Sequence, residues 1–204
     1  MSNFKKPVTV TTSKGIAQYP WLNEPDTKYN PDGDYKTNLI LEDTPEVRTM
    51  LTKLEQIRED FIAEWQSDPC NKGKKFMEAD LFDENEDGTI TIKMKAKARI
   101  TTREGQTVET KIPLFDAKNT PIFDKIGSGS TIRVNFQPIP YYMASTKMMG
   151  VSYRIKAVQV IDLKAFDDGG DASKYGFVEE EGYTADTQTT YDQFDAEDTT
   201  ASDF

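Results

Sequence analysis

A mostly β fold, built as a small barrel of five or six strands with one inserted α-helix and followed by an acidic tail, is the class this sequence predicts. Three observations carry it. Apolar residues alternate with polar ones in several separate runs, the period of a half-buried strand. One stretch, Val47, Met50, Leu51, Leu54, Ile57, Phe61 and Trp65, follows helical spacing instead. All periodicity stops after Phe166.

Taken in order, Val8 to Thr12 and Ile16 to Tyr19 are β-branched or aromatic runs broken at Ser13-Lys14-Gly15, which suits a bent first strand. Pro20, Pro25, Pro31 and Gly33 mark 20–34 as a loop. Tyr35 to Leu41 is the next strand and runs straight into a helix start. There Asp43 stands three residues before Glu46 in capping-box spacing, with Pro45 in the first turn. The helix ends at Ser67-Asp68-Pro69. From Ile90 to Ile100 alternation is strict: Ile90, Ile92, Met94, Ala96, Ala98 and Ile100 share one face, and Lys93, Lys95, Lys97 and Arg99 share the other. Val108 to Phe115 follows a turn at Glu104-Gly105, and then Ile132, Val134 and Phe136 alternate with Arg133, Asn135 and Gln137. Val151 to Leu163 is the last strand, and the change of phase from Ile155 to Val158 predicts a bulge near Ala157. Such a set, with its helix between the second and third strands, suits a partly open barrel of the OB type, with a sandwich as the alternative by pattern alone.

Charge divides the chain. Residues 93–164 hold 13 bases and 5 acids, whereas 167–204 hold 12 acids and the single base Lys174. The whole-chain net of −10 therefore hides a basic segment beside an acidic one. The tail has too little apolar area to offset the entropy of ordering it, so 1–166 is read as the folded domain and 167–204 as a disordered tail. Histidine is absent and Cys70 is the only cysteine, which removes the usual acid–base and zinc chemistry, internal disulfides and cysteine metal clusters. Residues 1–7 lack the apolar run of a signal peptide, and no stretch approaches the roughly 18 apolar residues of a membrane span. The expectation is a soluble intracellular protein with no enzymatic activity, no cofactor, no metal and no membrane association.

The cationic face Lys93, Lys95, Lys97 and Arg99 spaces its charges at about 6.6 to 7 Å, near the phosphate spacing of an extended nucleic-acid strand. Taken alone it reads first as an ordinary solvated strand face, but a solubilising surface mixes signs and this region does not. Arg133, Arg154 and Lys156 extend the charge, and Tyr141, Tyr142 and Tyr153 supply rings on which bases stack. Tyr153 shares the phase of Val151 and Ile155, so it fits the core as well. Asp83 to Gly88 imitates the opening of a calcium loop, but position twelve is Met94 instead of a bidentate Glu, and the segment reads as a turn. Asp80, Asp83, Asp87 and Asp116 would be the carboxylates of a metal-dependent nuclease, with no evident convergence.

Several motifs in order give a resemblance: Asp34-Tyr35-Lys36-Thr37-Asn38-Leu39, Leu81 to Thr89 before the cationic strand, Ile126-Gly127-Ser128-Gly129-Ser130, Pro140-Tyr141, and an acidic tail closing on Asp203-Phe204. Together they resemble the replication single-stranded DNA-binding proteins of tailed bacteriophages. The resemblance implies an OB-fold body, sequence-independent binding of single-stranded DNA in replication, recombination and repair, and a location in the cytoplasm of the infected bacterial host. It implies that the tail, through Asp203 and Phe204, contacts the phage DNA polymerase and helicase-primase, and that the chain forms a homodimer. Tyr141 falls where the family has a stacking ring, while Met143 stands where a second is expected, with Tyr142 as the candidate substitute. The rival reading is a structural or acidic interaction protein that binds no DNA.

Overall fold

The computed structural model describes residues 8–102 and 104–164. In chain order the elements are β1 (Val10–Thr11), β2 (Gly15–Asp26), β3 (Asp34–Leu41), α1 (Pro45–Ser67), β4 (Met77–Glu78), β5 (Asp83–Glu84), β6 (Ile90–Lys97), β7 (Arg99–Thr101), β8 (Thr107–Glu109), β9 (Leu114–Phe115), β10 (Thr131–Met143) and β11 (Met148–Asp162).

The five long strands close a ring. β2 pairs with β3, β3 with β6 and β10 with β11, all antiparallel, and two short seams complete the circuit. One seam is the antiparallel β10–β2 contact at Thr131–Ile16 and Ile132–Gly15. The other is the parallel β6–β11 contact, registered only at Lys95–Arg154. Long pairings joined by such short ones are what a partly open barrel requires, and the expected OB-type class describes this ring.

Alternation decides what fills it. Tyr35, Leu39 and Leu41 from β3, Ile92, Met94 and Ala96 from β6, and Ile132, Val134 and Phe136 from β10 are all buried. Val151, Tyr153 and Ile155 from β11 join them, and then Val158 and Val160 after the change of phase. The bulge is visible in the register: Phe136 faces Ile155 while the adjacent Asn135 faces Ala157, so Lys156 is the extra residue.

Between the second and third long strands stands α1, which lies against β10 and β11. Its cap differs from the sequence expectation. Thr44 is the N-cap, accepting from the Val47 N–H at 3.3 Å, and Pro45 occupies the first helical position, where its missing N–H costs nothing. Asp43 lies one residue too early and instead takes both ends of the Arg48 guanidinium at 2.6 and 2.7 Å. Val47, Met50, Leu51 and Leu54 are buried, whereas Phe61 and Trp65 run past the barrel and are half-buried. Trp65 meets Phe76 edge-on at 5.8 Å and Tyr142 at 4.8 Å.

Two further expectations need correction. Pro20 to Asp26 is strand rather than loop: beyond Ile16 the outer edge of β2 has no partner strand among the described residues, so Pro20 and Pro25 forfeit no ladder bond. A bulge absorbs the irregularity, since Gln18 faces Asn38 while Trp21 faces Lys36, and Tyr19 takes φ +50°. Downstream, the alternation ends at Ala98. Arg99 to Thr101 forms a separate hairpin with β8, and Ile100 is exposed opposite Val108 instead of sharing the core. Val108 to Phe115 correspondingly divides into β8 and β9.

The cap gives a direct test. Thr44→Ala is expected to cost about 1 kcal/mol, read as a lowered midpoint in urea unfolding with an unchanged slope.

Candidate nucleic-acid interface

With Met94 and Ala96 turned inward, the pleat of β6 forces Lys93, Lys95 and Lys97 outward, and all three are exposed. Register then builds a row across the sheet. Lys36 of β3 stands beside Lys95 on one side, Arg154 of β11 stands beside it on the other, and Gln137 of β10 faces Arg154. Three strand spacings make this row about 14 Å long. Lys156, the bulge residue, is exposed further along β11.

Ion pairing differs between the margin and the centre. Lys93 meets Asp83 at 2.7 Å, and Lys36 meets Asp26 at 2.5 Å. The Lys36 ammonium, joined by the Lys28 N–H, holds the Asp26 carboxyl below the usual carboxylate range. Lys95, Lys97, Arg154 and Lys156 have no acidic partner within 4.0 Å among the described residues. Exposed pairs contribute little to stability, so the acids at the margin trim the local field and the centre stays cationic.

Two of the expected cations lie elsewhere. Arg99 belongs to the β7–β8 hairpin and pairs with Glu109 at 3.2 Å. Arg133 is on the outer phase of β10 but beside Gln159, four residues from Gln137, and its Nε donates to the Thr12 carbonyl at 3.1 Å, tying the β1 segment down.

The three tyrosines separate by phase. Tyr141 shares the outer phase with Gln137 and lies across Gly150 of β11, where a Cβ would come within 2.8 Å of its hydroxyl and 3.0 Å of Cζ. Glycine therefore seats this ring against the sheet. Tyr142 takes the opposite phase and packs on Trp65 at the helix side, away from the cationic row. Tyr153 is core, which corrects its reading as a stacking platform. It is 4% exposed, its ring meets Phe136 edge-on at 5.3 Å, and its hydroxyl donates to the Leu81 carbonyl at 2.9 Å. Burial pushes that hydroxyl up, so it stays a neutral donor.

Lys36 was not among the sequence candidates, although it alternates with Tyr35, Thr37 and Leu39 as Lys95 does with its neighbours. Trp21 and Tyr29 also face this side; the proline-rich stretch that reads as a loop conceals their placement.

The acidic segment is a turn. Asp87 accepts from the Thr89 N–H and hydroxyl, which lowers its carboxyl, and Gly88 takes φ +80°. Asp116 accepts from the Lys118 and Thr120 N–H groups, and no three acidic residues come together as a metal site among the described residues. Nor is any described helix long and apolar enough to cross a membrane. The tail, with Asp203 and Phe204, lies outside the described residues.

Ring order, the parallel β6–β11 seam and one outward cationic row define an OB-type barrel with a cationic outer face. A family model described as single-stranded DNA-binding protein, bacteriophage T7, matches residues 14–163. The chain is 31% identical over 208 residues to the single-stranded DNA-binding protein of Enterobacteria phage T3, covering 91% of this chain and 88% of the relative. It is 29% identical to that of Escherichia phage T7, covering 86% and 84%. The crystal structure of gp2.5, a single-stranded DNA-binding protein encoded by bacteriophage T7, superposes with a TM-score of 0.69 at 26% identity, covering 88% of this chain and 100% of that one. The chain belongs to the bacteriophage T7 single-stranded DNA-binding protein family.

The placement of Tyr153 makes a separable prediction. Tyr153→Phe leaves the Leu81 carbonyl unpaired and is expected to cost about 1 to 3 kcal/mol of stability, seen in thermal unfolding, while the cationic face keeps its geometry.

Proposed function

We propose that this chain binds single-stranded DNA without sequence preference and coats it, as a non-enzymatic protein, during phage DNA replication, recombination and repair in the host cytoplasm. The observation that carries the reading is the outward row at Lys95 and Arg154, continued by Lys97 and Lys156, in which neighbouring cations have no acidic partner among the described residues. Like charges side by side on a sheet repel, and a phosphate backbone laid along them relieves that repulsion while releasing its counterions. Tyr141, held against Gly150, offers a ring on the same face, and base stacking tolerates any sequence because every base has a π-face. Membership of the family, whose phage T3 and T7 members are named for single-stranded DNA binding, supports the reading.

The acidic tail from Asp167 completes the proposal. A tethered polyanion competes for the cationic face at high effective concentration, and DNA displaces it. Asp203 and Phe204 are then free for the phage DNA polymerase and helicase-primase, whose pockets would pair an apolar slot with a basic rim. Homodimerisation belongs to the same proposal.

Anisotropy titration of a labelled single-stranded oligonucleotide over a salt series tests it. Affinity is expected to fall log-linearly with salt at about 0.7 ions per phosphate contact, with Lys95→Gln and Arg154→Gln each reducing the slope by about 0.7. Truncation after Phe166 is expected to tighten binding most at low salt. An absence of binding at about 50 mM salt favours the DNA-free interaction protein, and unchanged affinity on truncation removes the tail from the mechanism.

A further inference from the structure

We infer that Trp21 and Tyr29, joined by Tyr19, form a second base-stacking patch that continues the path of a bound single strand from the cationic row onto β2. The inference rests on the single-stranded DNA reading above and extends it to residues that the sequence pattern conceals.

Exposure comes first. The exposed aromatic side chains among the described residues are Tyr19, Trp21, Tyr29 and Phe123, and the first three line one open cleft of about 650 Å³. Tyr29 is 83% exposed, Tyr19 67% and Trp21 43%. Leaving rings of this size in water forgoes their largest contribution to folding, and a cluster of them marks a surface that meets something flat and apolar.

Backbone geometry adds to this. Tyr19 sits at φ +50°, in the left-handed region that bulky side chains rarely adopt, and its side chain stays mostly exposed. Strained positions of this kind concentrate where a chain positions groups for a ligand. The bulge that produces the strain also sets Trp21 directly beside Lys36.

Continuity identifies the occupant. The aromatic cleft shares Asp26, Tyr29, Lys36 and Asn38 with an adjoining cleft of about 410 Å³ that reaches Lys93 and Lys95. Trp21, Lys36, Lys95 and Arg154 therefore stand side by side on β2, β3, β6 and β11. Rings at one end and unpaired cations at the other match a ligand whose bases and phosphates alternate along its length. The Lys28 ammonium lies 5.4 Å from the Tyr29 ring centroid, which occupies one face of that ring and leaves the other for a base. Two carboxylates line the path: Asp26 is paired with Lys36, and Asp34 stands beside Lys97 and accepts from the Asn30 amide at 3.0 Å, so neither faces the ligand as an isolated anion.

The test uses the full-length chain and a labelled oligothymidylate of about 16 nucleotides, the upper footprint of one such barrel. Trp21→Ala and Tyr29→Ala are each expected to weaken binding by about 5- to 100-fold. The salt slope should stay at the wild-type value, because neither removes a phosphate contact. Trp21→Phe should restore most of the loss, and Tyr29→Ala, at a highly exposed turn position, keeps the fold intact. In a Trp65→Phe background Trp21 is the sole indole, and oligonucleotide should quench its fluorescence. If both alanine variants bind as wild type while Lys95→Gln binds more weakly, the patch is overturned and the DNA reading stands. A salt slope that falls with Trp21→Ala, or an unquenched Trp21 in a saturated complex, also overturns it. If the wild-type chain fails to bind at low salt, both readings fall together.

Discussion

The two-residue period of β6 is the constraint on which the rest of the molecule depends. Because Ile92, Met94 and Ala96 must be buried, Lys93, Lys95 and Lys97 have no choice but to face water. A slip of one residue against β3 would drive three ammonium groups into the barrel, and the cost of burying unpaired charge makes that register inaccessible. The hydrophobic core and the cationic face are thus the same property seen from two sides. Bulges at Tyr19–Pro20 and at Lys156 let β2 and β11 bend round the barrel without disturbing that phase in the strands between them.

Charge and strand pairing meet at the seam with the fewest registered pairs. Lys95 and Arg154 are the one registered pair in the β6–β11 seam, so two like charges face outward where the ring has least hydrogen bonding. An anion bridging the two would offset their repulsion at that seam.

Much of this was legible in the sequence because it is periodic. Alternation located β6, β10 and β11, the phase change located the bulge, and helical spacing located α1 between the second and third long strands. What could not be read depends on tertiary pairing. Ile100 continues the alternation of β6, yet it is exposed, since Ala98 is where the chain leaves the barrel to form a hairpin. Prolines at 20 and 25 argue for a loop until the outer edge of β2 is known to be unpaired. The loop reading conceals Trp21, whose neighbour Lys36 stands in plain alternation. Tyr153 fitted core and surface equally well by sequence, and only the Leu81 carbonyl and the Phe136 ring decide between them.

Gly150 shows how far a surface ring depends on what lies beneath it. A β-carbon there would sit 2.8 Å from the Tyr141 hydroxyl and 2.9 Å from the Ala79 methyl, so no other residue fits without lifting the ring or displacing the segment beside it. The pose of a ring at the surface is thus set by a position that contributes no side chain of its own, and a larger residue at 150 would change where the ring lies before it changed anything else.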